Sequence, residues 1–274
     1  MKVEDIRVCV LRIEGTNCED ETFWAFKELG ATPEKVHIKQ LLGQSPAIYQ
    51  RSLEDYDVLA FPGGFSAGDY VRAGAIFAAR LKSGLGPKVR KFVEKEKPVI
   101  GICNGFQILV ELGLLPALDG IMTETPEAAL YTNDSGRFEC TPTLLKMENR
   151  GKCIFTSKMK KNGISLFPCA HAEGKLMLRD EGMLDKLIEN DQIVFRYVDD
   201  KGEYAGYPWC PNGSLDHIAG ICNPIGNVMG LMPHPERVFT RFTHPDFTRS
   251  DANPHSRGDG RVVFESVLDH LGRK

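Results

Sequence analysis

No apolar run in the 274 residues approaches the roughly 20 needed to cross a bilayer. The longest runs, such as Val99–Cys103, are far shorter, so no membrane partner is expected. A signal peptide is missing too: the opening MKVEDIRVCVLRI carries charges before and inside its apolar residues and reads as a first strand. Basic excess is lacking, with 34 Lys and Arg against 37 Asp and Glu and a formal charge of -3. The electrostatic footprint of a nucleic-acid binder is therefore absent, and no nucleic acid is expected as a partner. Eight cysteines are present, but none forms a C-x-x-C pair, which argues against a zinc knuckle; no metal is expected. A chain of this size needs no disulfide framework, and a reducing cytoplasm is the expected compartment. There is no G-x-x-x-x-G-K-[ST] loop, so ATP chemistry has no evident place in this chain. Internal repeats and low-complexity linkers are likewise missing.

What is present is an ordinary globular composition, 42% hydrophobic, with ample material for a core. Strands are expected at Ile6–Ile13, Lys35–Ile38, Asp57–Phe61 and Pro98–Ile102. Helices are expected at Glu19–Leu29, Ala73–Leu81, Pro87–Glu96 and Asn104–Leu112, with Ser83-Gly84-Leu85-Gly86 separating the second and third. This alternation predicts an α/β fold with a mostly parallel central sheet and helices on both faces. The second half changes character. Arg137–Met147, Leu166–His171 and Gln192–Val198 read as extended, Leu184–Asn190 as a short helix and Val262–Leu271 as a closing helix. His217–Cys222 and Asn227–Met232 form a hairpin around Asn223-Pro224-Ile225-Gly226. These are added antiparallel strands. We expect one domain over 1–274, with 240–261 a polar surface loop whose His244 and His255 are solvated.

Three segments carry chemistry. Gly101-Ile102-Cys103-Asn104-Gly105 has the G-x-C-x-G form of a nucleophile elbow, preceded by a strand and followed by a helix. Such a turn lifts the thiol above the carboxyl end of the sheet, next to a helix N-terminus that favours thiolate. The plain alternative is a tight βα turn that happens to contain cysteine. Phe61-Pro62-Gly63-Gly64-Phe65-Ser66 ends another buried strand and opens on the same rim, where ligands of parallel sheets bind. Its glycine N–H groups, with that of Asn104, could donate to an oxyanion. Met232-Pro233-His234-Pro235-Glu236 offers a base and a residue to orient it. His171-Ala172-Glu173 has the same H-x-E spacing, and spacing alone does not choose between the pairs. Of the other thiols, Cys9, inside the first strand, reads as core.

Taken together, GTNCE (15–19), LAFPGGFSAGDYVRAGAI (59–76), KPVIGICNGFQILVELGLLP (97–116), AHAEG (170–174), QIVFRY (192–197) and PNGSLDHIAGICNPIGNVMGLMPHPER (211–237) resemble the class I, triad glutamine amidotransferases. Within that family the chain is most similar to the glutaminase subunits of phosphoribosylformylglycinamidine synthases. The resemblance spans nearly the whole chain and implies a flavodoxin-like class I amidotransferase fold. It implies Cys103 as nucleophile, His234 as base and Glu236 as its orienting partner. Gly63, Gly64, Phe65, Asn104, Gln107 and His171 become the oxyanion- and substrate-binding candidates, Gln107 being equally able to serve packing. The implied activity is hydrolysis of L-glutamine to glutamate and ammonia through a cysteinyl thioester. The implied partners are a large synthetase subunit, which would hold ATP and magnesium, and a small third subunit; no cofactor is implied in this chain. A free-standing cysteine hydrolase on the same scaffold, of γ-glutamyl hydrolase or peptidase type, is the alternative. Departures are Ala172, where members commonly have glycine, the longer 240–261 segment and extra residues around Ser83–Pro87.

Overall fold

The computed structural model describes residues 1–249 and 253–273. The first half is built from β1 (Arg7–Arg12), α1 (Glu19–Lys27), β2 (Thr32–His37), α2 (Ile38–Leu41), β3 (Val58–Phe61), α3 (Ala75–Glu94), β4 (Val99–Ile102) and α4 (Asn104–Glu111). The second half adds β5 (Ala128–Tyr131), β6 (Glu139–Met147), β7 (Ile164–His171), β8 (Lys175–Leu178), α5 (Met183–Glu189), β9 (Ile193–Val198), β10 (Ile218–Cys222), β11 (Val228–Leu231) and α6 (Arg261–Arg273). A nine-stranded sheet runs in the order β2-β1-β3-β4-β11-β10-β9-β6-β7. From β2 to β11 neighbours are parallel; from β11 to β7 they are antiparallel.

The parallel part has the 2-1-3-4-5 order of a flavodoxin-like sheet, with β11 in the fifth place. Right-handed crossovers leave β1 and β3 in opposite directions along the sheet, so α1 and α3 cover opposite faces. α1 packs against α6, and α3 against α4. The central strands β3 and β4 are buried at every residue, which is why they read as unbroken apolar runs rather than alternating ones. Cys9 is fully buried in β1, and burial raises its pKa strongly, as expected of a core thiol.

Three elements depart from the sequence reading. The helices expected at Ala73–Leu81 and Pro87–Glu96 are one helix, α3, which continues through Gly84, Gly86 and Pro87. Leu81, Leu85, Val89, Phe92 and Val93 are all buried on it, a continuous apolar stripe that outweighs roughly 3 kcal/mol for the proline and about 1 kcal/mol for each glycine. Gly84 is also fitted to its neighbour: a Cβ there would lie 2.3 Å from Leu42 Cδ2. The small antiparallel pair β5–β8 was not foreseen. His244 is buried, not solvated, and its Nδ1 accepts from the Asp246 N–H at 3.1 Å. The surrounding segment is tied back to the body, with Asp259 accepting from the Leu166 N–H at 2.8 Å; His255 is exposed, and residues 250–252 lie outside those described.

The glycines flanking Cys103 serve close approach of strand and helix. A Cβ on Gly101 would stand 2.5 Å from the Gly105 carbonyl oxygen, and one on Gly105 would stand 2.0 Å from that of Phe61. Both obstacles are backbone and cannot swing away. Gly105→Ala is expected to destabilise at or above the upper end of the roughly 1–3 kcal/mol typical of overpacking, read as a lower urea midpoint.

Candidate active site

Cys103 sits at the carboxyl end of β4 with φ 52° and ψ −109°, a conformation that costs a non-glycine residue on the order of 1–3 kcal/mol. The strain persists because both sides are fixed. Its N–H donates to the Leu231 carbonyl at 2.8 Å, and its own carbonyl accepts from Phe106 and Gln107 at the start of α4. The thiol, in a residue only 5% exposed, lies 3.5 Å from the Ala170 carbonyl oxygen of β7.

β11 is hydrogen-bonded to β4, so the segment following it emerges beside the elbow. His234 and Glu236 lie there, both buried. His234 is held by its N–H, which donates to the Pro168 carbonyl at 2.8 Å. Its Nδ1 is 2.5 Å from Glu236 Oε1. Because an ionised carboxylate can only accept, Nδ1 carries a proton, and Nε2 is the nitrogen left to exchange a proton with the thiol. Burial alone would lower the His234 pKa, but the Glu236 carboxylate and then Cys103 outweigh it and hold the imidazole well above its ordinary value. Gly63 shows how tightly these groups converge. A Cβ there would lie 2.7 Å from His234 Cε1, 3.2 Å from Cys18 Sγ and 3.3 Å from Cys103 Cβ.

The rival pair separates into two structural roles. His171 Nδ1 is 3.1 Å from Asn133 Oδ1, and burial, with the nearby His234, lowers its pKa to about 4, so the ring is neutral. Glu173 instead accepts from the Ala73 N–H at 3.0 Å. His171 and Glu173 therefore form no imidazole–carboxylate relay. Ala172 is exposed without positive φ and accommodates its Cβ freely.

The remaining candidates differ in what they can offer. The Phe65 N–H is already given to the Gly15 carbonyl at 2.8 Å, so it is not a free oxyanion donor, and its ring is half exposed beside Phe138. Gly63 contributes its carbonyl, which accepts from Asn17 and Cys18, and fixes the loop. The N–H groups of Gly64 and Asn104 stand outside these pairings, and the latter is the first of α4. The Gln107 side chain is spent internally: its Oε1 accepts from Asn104 at 2.9 Å and its Nε2 donates to the Glu173 carbonyl at 2.6 Å. Asn104 also reaches Asp69, whose carboxyl is raised to about 6 by burial and then by Glu173. This network ties the elbow helix to the strained loop around Asp69 and to the end of β7.

Sequence reasoning gave Cys18 no role, although GTNCE was noted. The residue is 2% exposed, and its Sγ accepts from Arg237 Nη2 at 3.1 Å. The signal was available: β1 borders the switch point of the sheet, so whatever follows it reaches the same rim as Cys103.

The model of the CobB/CobQ-like glutamine amidotransferase domain matches residues 5–270. The chain belongs to this glutamine amidotransferase family. Its relatives include the phosphoribosylformylglycinamidine synthase subunit PurQ of Archaeoglobus fulgidus, 54% identical over 99% of both chains. The subunit of the same name from Picrophilus torridus is 45% identical, over 96% of this chain and 98% of its own. Among solved structures, PurLQS from Thermotoga maritima contains a chain 33% identical, with TM-score 0.72, covering 97% of this chain and 99% of that one. A glutamine amidotransferase from the same organism, 17% identical over 98% of this chain and 97% of that one with TM-score 0.52, shares the fold. The amidotransferase fold is thus shared well beyond the range of close sequence likeness.

Proposed function

We propose that this amidotransferase is the glutaminase subunit of a phosphoribosylformylglycinamidine synthase, supplying ammonia for conversion of formylglycinamide ribonucleotide to formylglycinamidine ribonucleotide in purine biosynthesis. The observation that carries the chemistry is the buried Glu236–His234 relay at 2.5 Å converging with Cys103 on Gly63. In this reading His234 Nε2 takes the thiol proton, and the thiolate attacks the side-chain amide carbon of L-glutamine. The N–H groups of Gly64 and Asn104 hold the resulting oxyanion, each such donor being worth roughly 2.7–4 kcal/mol. The imidazolium protonates the departing ammonia, leaving a γ-glutamyl thioester on Cys103. His234 then takes a proton from water, which attacks the thioester and releases glutamate.

The pathway assignment is supported by near full-length similarity to synthase subunits, which disfavours a free-standing hydrolase. Ammonia protonated in bulk water is lost as a nucleophile, so the reading requires a synthetase partner that uses ATP and magnesium and receives ammonia by a shielded route. A small third subunit completes the proposed assembly. No described helix is long and apolar enough to cross a membrane. A cytoplasmic complex is part of the proposal, as the compartment of a purine-synthesis enzyme. The closed nucleophile supports dependence on the partner. Two clefts of about 550 Å³ exist, one reaching from Arg72 to Arg179 and one from Asp134 to His217, and neither is lined by Cys103, His234 or Glu236.

A glutamine-mimicking electrophile followed by mass spectrometry is expected to place a single adduct on Cys103. Glutaminase turnover should rise at least tenfold when the synthetase subunit is added. Labelling of another cysteine would sink the mechanism; robust peptide turnover without glutamine turnover would favour the free-standing hydrolase.

A further inference from the structure

We propose that the catalytic centre doubles as an inhibitory site for a thiophilic divalent cation of the zinc class, held by Cys18, Cys103 and His234. Ligand atoms of Cys18, His234 and Glu236 lie within 4.8 Å of one another. Cys18 and His234 are almost wholly buried, at 2% and 1% exposure. With Nδ1 committed to Glu236, Nε2 is the free ligand atom, and it is buried with no hydrogen-bond partner among the described residues. A histidine oriented by a carboxylate through its other nitrogen is the usual arrangement behind a zinc ion. Cys18 Sγ and Cys103 Cβ lie 3.2 and 3.3 Å from one point beside Gly63; binding requires the Cys103 side chain, whose Sγ rests 3.5 Å from the Ala170 carbonyl, to rotate toward the ion.

Two thiolates and one imidazole form a donor set that suits zinc better than magnesium or calcium. The charges balance as well. Two thiolates and the Glu236 carboxylate carry three negative charges, against the divalent ion and the Arg237 guanidinium at Cys18. Binding displaces the two thiol protons to solvent and leaves His234 neutral. It removes nucleophile and base together, because the Cys103 lone pair and the Nε2 lone pair both go to the ion.

Cobalt(II) titration of the full chain tests this. One cobalt per chain is expected, with thiolate-to-cobalt charge-transfer absorption that zinc abolishes by displacement. Zinc should protect Cys103 from the glutamine-mimicking electrophile, and EDTA should restore labelling; labelling without zinc tests the catalytic reading separately. Cys18→Ser should weaken cobalt binding by at least 10–100-fold, whereas replacement of the exposed Cys140 by Ser should leave it unchanged. If Cys18→Ser does not fold, wild-type chain already alkylated at Cys103 serves instead and should bind cobalt at least 10–100-fold more weakly. Cobalt bound without a thiolate band, affinity unmoved by either change, or zinc that leaves labelling intact would overturn the site.

Discussion

Cys103→Ala is expected to lower ammonia release from glutamine by on the order of 10⁴–10⁶-fold while leaving a folded chain. The size follows from the division of labour at the elbow. Oxyanion donors and substrate binding survive the change, but no bond to the amide carbon can form, and His234 has no thiol to deprotonate. Stability should move little, because the hydrogen bond of the removed sulfur to the Ala170 carbonyl is long, at 3.5 Å, and the backbone of the elbow is unchanged. The backbone supplies a second, sharper test. Alanine keeps a Cβ at φ 52° and so keeps the strain, whereas glycine relieves it. Cys103→Gly should therefore be as inactive as Cys103→Ala yet more stable by about 1 kcal/mol, compared by urea unfolding. Equal stability would mean that the elbow is unstrained. Retained glutaminase activity in either variant would end the case for this nucleophile.

The parallel half of the fold was legible because its determinants are local. Unbroken apolar runs ending in Gly-rich turns mark β3 and β4, and the elbow follows from strand, glycine spacing and helix in one continuous stretch. The continuity of α3 was not legible, because Gly84 and Pro87 announce a break that only packing against Leu42 and the core overrules. Burial of His244 was hidden for the same reason. The site divides along the same line. Residue types and spacing produced two H-x-E pairs, and residues alone could not separate them. What separates them is long-range: Asn133 takes His171 and the Ala73 N–H takes Glu173, from segments distant in sequence. Phe65 and Gln107 were reasonable candidates by position, yet their polar groups are engaged by Gly15, Asn104 and Glu173. Cys18 went unassigned because nothing in a single thiol near the N-terminus announces a partner over two hundred residues away; Arg237 reaches it only in the folded chain.

Glu236→Gln should cost on the order of 10²–10⁴-fold in kcat with little change in fold, and should also move the pH profile. The amide nearly matches the carboxylate in shape, so the 2.5 Å contact to His234 Nδ1 can persist, but its charge is gone. If the amide presents its NH2, the proton is driven to Nε2 and the ring can no longer accept from Cys103. If it presents its oxygen, the tautomer is kept, yet the imidazolium formed in each half-reaction loses its counter-charge in a fully buried place. The sign of the pH effect follows. Burial lowers the His234 pKa, and Glu236 is the largest effect opposing it. Removing that charge must lower the imidazole pKa. The alkaline limb of kcat, where the imidazolium that protonates ammonia is lost, should therefore shift to lower pH. Stability carries the same signature. A histidine with a raised folded pKa contributes stability that is full below its ordinary pKa of about 6.5 and is lost as pH rises through the folded value. The stability advantage of the wild type over Glu236→Gln should thus be larger near pH 6 than at alkaline pH, measured by urea midpoints at matched ionic strength. An unshifted alkaline limb with undiminished kcat would remove Glu236 from the relay.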